Sequence, residues 1–86
     1  MTIMKKLETL QSALDARNDE LLGYQINIDN YTRAIDKINA EHESNPEMIK
    51  FRDRLADMLE SNKTEQLKSM IIRDVIADQL NEMEAP

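Results

Sequence analysis

The chain has 86 residues, 17 acidic against 11 basic side chains for a net charge of −6, 3% aromatic residues and no cysteine. Such a chain makes one small domain at most, with a modest buried fraction, so association with a neighbour is expected from the outset. The charge balance argues against phosphate backbones and anionic membranes and suits a basic protein partner, while the lack of cysteine excludes disulfides, thiolate nucleophiles and thiolate metal sites.

The N-terminal Met1 to Lys6 carries two lysines with no apolar block behind them, and the longest aliphatic run is Met70-Ile71-Ile72. Neither resembles a signal or a spanning helix, so a soluble, cytoplasmic protein is expected.

From Ile3 onward the apolar residues recur at alternating steps of four and three: Ile3, Leu7, Leu10, Leu14, then Arg17, then Leu21, Tyr24, Ile28, Tyr31, Ile35 and Ile38. This heptad, broken once at Arg17, predicts a helix over about 2–41 that lies against another helix. Thr2 is placed to cap it, and Gly23 inside it costs about 1 kcal/mol against alanine without ending it. At 1.5 Å per residue the helix is about 60 Å long.

Residues 42–45 form the turn. Pro46 cannot continue a helix but starts one well, with Asn45 or Ser44 as cap and Glu47 favourable in the first turn. From Pro46 to about Met83 no glycine or proline intervenes. The expected seam of this second helix is Phe51, Leu55, Met58, Asn62, Glu65, Ser69, Ile72, Ile76, Gln79 and Met83. A competing reading breaks the helix near 61–64, where Asn62 and Glu65 have capping-box spacing, and with a second break near Gly23 it yields a compact bundle of three or four shorter helices. Either version keeps Leu7, Leu14, Tyr31, Ile35, Leu55, Ile72 and Ile76 buried.

Two helices of similar length joined by a short turn fold back as a long antiparallel hairpin, all-α and coiled-coil-like, able to associate into a bundle. Pairing about the turn sets Tyr24 near Asn62 or Lys63 and Arg17 near Glu65, which predicts a buried polar layer with Arg17 paired to Glu65; alternatively Arg17 reaches solvent along its aliphatic stem.

Apolar residues off the seam mark candidate contact surfaces. Leu22 and Ile26 lie one turn apart on the outer face of the first helix, and Leu67, Ile71 and Val75 widen the apolar arc of the second. Beside them Asp74, Asp78 and Glu82 form a carboxylate ladder with about 6 Å between neighbours. The ladder either draws in a basic cleft or serves as a solvated face. The arc from Leu67 to Met83 predicts self-association, a dimer being favoured, or the binding of a different protein.

Catalytic chemistry lacks its parts. The single histidine, His42, sits in the turn between Glu41 and Glu43, and no phosphate loop, metal-ligand spacing or Ser/His/Asp set is present, so no cofactor or metal is expected. Tyr24 and Tyr31 read as seam residues rather than a stacking platform. The expected function is therefore a non-catalytic protein-binding adaptor or inhibitor, with a purely structural homo-oligomeric assembly element as the alternative. In style, short acidic helical chains of this kind are similar to small phage-encoded inhibitors of host proteins, although no motif carries that likeness.

Overall fold

A computed structural model describes residues 3–84 of the chain as two α-helices, α1 (Ile3–Glu41) and α2 (Pro46–Glu84), folded into an antiparallel hairpin. Thr2, expected as the cap of α1, lies outside the described residues. The hairpin measures 63 × 17 × 14 Å, with a radius of gyration of 19.1 Å. A compact domain of this length would have about 12 Å.

Local chemistry explains the turn. His42 N–H still donates to the Ile38 carbonyl (2.8 Å), and Asn45 N–H then closes back on the His42 carbonyl (3.0 Å). Asn45 caps α2: its Oδ1 accepts from the backbone N–H of Glu47 (3.0 Å) and Met48 (3.3 Å), which are otherwise orphan donors of the first turn. Pro46, lacking an N–H, costs nothing at the first helical position.

α2 runs unbroken through 61–66, so neither break of the compact-bundle alternative is present. The polar side chains there satisfy themselves without interrupting the helix. Asn62 Nδ2 donates to the Met58 carbonyl (2.8 Å) and Thr64 Oγ1 to the Glu60 carbonyl (3.1 Å). Gly23 likewise sits inside continuous helix, and a Cβ added there would meet nothing within 4 Å. Gly23→Ala should therefore raise stability by about 1 kcal/mol, read as a higher urea midpoint with an unchanged slope.

Side-chain bonds between the helices set the register: Asn27 Nδ2 to Asn62 Oδ1 (3.2 Å), Gln66 Nε2 to Gln25 Oε1 (2.9 Å) and Arg52 Nη1 to Asn39 Oδ1 (3.0 Å). Tyr24 is consequently level with Gln66, about one turn from the expected Asn62 or Lys63. Carried along the hairpin, the same register sets Ile35 opposite Leu55, Leu21 opposite Ser69, Arg17 opposite Arg73 and Leu10 opposite Leu80.

The seam of α1 follows the expected heptad from Leu7 to Ile38, while Ile3 stands exposed at the helix start. The seam of α2 differs. Its covered row is Met48, Arg52, Leu55, Leu59, Asn62, Gln66, Ser69, Arg73, Ile76, Leu80 and Met83, a strict heptad. Every second member of the expected seam is retained, whereas Phe51, Met58, Glu65 and Ile72 are exposed and their neighbours Arg52, Leu59, Gln66 and Arg73 take the places. Of the residues expected in the core, Leu55 is buried, Leu7, Leu14, Tyr31, Ile35 and Ile76 are half-buried, and Ile72 is corrected to the surface. The two arginines make this possible: their aliphatic stems line the seam, while the guanidinium of Arg52 reaches Asn39 and Asp53 and that of Arg73 reaches Asp74. Among the described residues the buried apolar side chains are Ile38, Leu55 and Leu80, two near the turn and one near the open end.

Candidate protein-binding surface

The middle of α2 is turned inside out. Between 66 and 75 the side chains directed at α1 are Gln66, Ser69 and Arg73, and those directed away include Leu67, Ile71 and Val75. Ser69 is only 2% exposed, and its Oγ has no hydrogen-bond partner. A buried hydroxyl without a partner is destabilising, so this stretch of seam contributes little to holding the hairpin shut.

The predicted apolar contact residues all stand open. Leu22, Ile26, Leu67, Ile71 and Val75 keep 49–60% of their surface accessible. The register sets Leu22 and Leu67 at nearly the same level, and their heptad positions place both along one edge of the hairpin. Ile26 is one turn nearer the loop on α1, and Ile71 and Val75 continue the strip around the back of α2. Asp74, Asp78 and Glu82 are exposed along the same helix. The first of these is occupied, because its Oδ1 accepts from Arg73 Nη2 at 3.0 Å.

The polar interruption of α1 is resolved within that helix. Arg17 Nη1 donates to Glu20 Oε2 (3.0 Å) and the Tyr24 hydroxyl to Glu20 Oε1 (3.0 Å), so one carboxylate serves both. The expected Arg17–Glu65 pair is absent because the register sets Arg17 opposite Arg73; Glu65 instead accepts from Lys68 Nζ at 3.0 Å. The hydrogen bond to Glu20, followed by burial and by the negative charges of Glu20 and Glu65, raises the Tyr24 pKa above 10.0, against a smaller opposing pull from Arg17. The folded chain thus favours neutral tyrosine. The resulting stabilisation is complete below pH 10 and is lost as pH rises through the raised value. In a Tyr31→Phe background, absorbance titration should place the Tyr24 midpoint above 10, and Glu20→Gln should bring it down.

Among the described residues there is no enclosed pocket and no group of three or more His, Cys, Asp or Glu side chains that could hold a metal ion. No described helix is long and apolar enough to cross a membrane. His42 lies in the turn, 4.0 Å from the Glu41 carboxylate. The geometry offers a long outer face and a carboxylate margin, which suit contact with another macromolecular surface.

No protein-family model, curated protein or solved structure matches the chain.

The exposed apolar residues that periodicity alone misplaces are Phe51, Met58 and Ile72. The signal that could have found them is the strict heptad starting at Met48, which is hidden because five of its eleven members are polar.

Proposed function

We propose that the protein is a non-catalytic interaction module, an adaptor or inhibitor that acts in the cytoplasm by binding another protein along the outer face of the hairpin. The observation behind this proposal is the inversion over 66–75, where polar residues occupy the seam and Leu67, Ile71 and Val75 stand open beside Leu22 and Ile26. A monomer gains nothing from that arrangement, and a cluster of exposed aliphatic side chains is characteristic of a contact surface. The margin of Asp74, Asp78 and Glu82 and the net charge of −6 favour a basic partner, including one that itself binds nucleic acid.

Affinity capture from the organism of origin with two baits, wild type and Ile71→Glu, tests the proposal. A protein retained by the first bait and lost with the second supports it. Recovery of the chain's own copies alone would instead indicate a structural assembly element. With the captured partner in hand, changing Asp74, Asp78 and Glu82 together to Asn or Gln should slow association and flatten its salt dependence, because attraction between exposed charges is screened within about 10 Å at 0.1 M salt.

A further inference from the structure

The hairpin has a second edge, opposite the one that holds the Gln25–Gln66 bond. In heptad terms it is formed by the row Phe51, Met58, Glu65, Ile72, Gln79 of α2 and by Ala13, Glu20, Asn27 and Ala34 of α1. The three large apolar residues keep 40–44% of their surface open and the two alanines are half-covered. We infer that a second copy of the chain occupies this edge, the two hairpins stacking antiparallel with their turns at opposite ends to form a four-helix bundle.

The edge is self-complementary under a two-fold axis. When two α2 helices run antiparallel with full overlap, the heptad row meets itself in register: Met58 comes against Ile72 of the second copy and Phe51 against its Gln79. The α1 row that flanks it is Ala13, Glu20, Asn27 and Ala34, and a shift of nearly one turn from the same overlap brings Ala13 against Ala34 and Glu20 against Asn27. Large apolar residues meet across the α2 pair, while the α1 pair brings together two alanines and two polar side chains, Glu20 and Asn27, which can stay solvated at the margin.

The size of the surface agrees. A strip along a hairpin 63 Å long and 14–17 Å thick matches the about 800 Å² per partner of a stable interface. The need for a partner is also plain: the chain exposes 6391 Å², against about 5,200 Å² for a compact protein of its mass, and buries only Ile38, Leu55 and Leu80 among its described apolar side chains. A core that small calls for a constitutive partner, and a second copy is always present. Leu67 and Ile71 lie away from this edge and remain open on the outside of the dimer, while Val75 borders it.

The α2 row contains one charge. Glu65 falls on the two-fold axis, facing its own copy, and its ion pair within the hairpin is with Lys68. This yields a test with an unusual sign. In sedimentation equilibrium over micromolar concentrations, Glu65→Leu should tighten the dimer by about tenfold or more, Met58→Glu should weaken it by about a hundredfold, and Ile71→Glu should leave it unchanged. Because the chain has no cysteine, Glu65→Cys should also form an intermolecular disulfide under mild oxidation, whereas Ile71→Cys should not. A wild-type monomer at these concentrations, or crosslinking through position 71 in preference to 65, would overturn the inference. A wild-type monomer leaves the outer-face proposal standing, whereas crosslinking through position 71 would count against both, and loss of the captured partner with an intact dimer would affect the outer-face proposal alone.

Discussion

Leu55→Ala should destabilise the protein by about 3 kcal/mol, lowering the thermal midpoint by more than about 10 °C when measured at fixed chain concentration. Leu55 is 5% exposed, opposite Ile35 and next to the buried Ile38, in the best-packed layer of the hairpin. Removing three carbons there forfeits their transfer free energy and leaves a cavity that two stiff helices can only partly close. Leu67→Ala is the matched control: same residue type and same helix, but on the open face, so its cost should stay within about 0.5 kcal/mol. Equal losses at the two positions would mean that α2 is rotated from the orientation described.

Ser69→Ala should do the reverse and stabilise the protein by about 1–2 kcal/mol. The Oγ of Ser69 is buried without a partner opposite Leu21, so the wild type carries the desolvation cost of a hydroxyl and receives no bond for it. Alanine removes the hydroxyl, leaves the backbone unaltered and is the better helix former. The thermal midpoint should rise by about 4–8 °C per kcal/mol gained. A fall would show that some group reaches the Oγ in solution.

How far these features could be read from sequence depends on the helix. In α1 the apolar rows are dense and only Arg17 interrupts them, so periodicity identifies the seam from Leu7 to Ile38. The turn was equally readable, because Pro46 and Asn45 each have a strong positional preference. α2 was readable in part. The row Leu55, Asn62, Ser69, Ile76, Met83 follows from periodicity and is covered, but for the adjoining row hydrophobicity alone ranks Phe51, Met58 and Ile72 above Arg52, Gln66 and Arg73. Arginine covers a seam with its stem while its head stays solvated, and a hydrophobicity scale does not register that. The exposure of the candidate contact residues follows the same logic: Leu22, Ile26, Leu67, Ile71 and Val75 are off the seam in either assignment and stand open. The Arg17–Glu65 pair failed because it depended on the register to within a turn, which the loop length does not determine.

The distribution of apolar contacts along the hairpin also sets the order in which it closes. The bond between Asn39 and Arg52 spans 13 residues, and that between Gln25 and Gln66 spans 41. Extending the closed loop from one to the other costs about 1 kcal/mol of chain entropy. Near the turn this is offset at once by Ile38 and Leu55, but across the polar middle the apolar seam residues are only half-buried until Leu80 meets α1. Folding should therefore zip outward from residues 42–45, slow at the level of Ser69, and finish only when the distal clasp forms. The native hairpin should open in the opposite order, as a fork, so that amides near Leu10 and Leu80 exchange with solvent long before those near Ile38 and Leu55, and a protease finds the open arms before it reaches the turn.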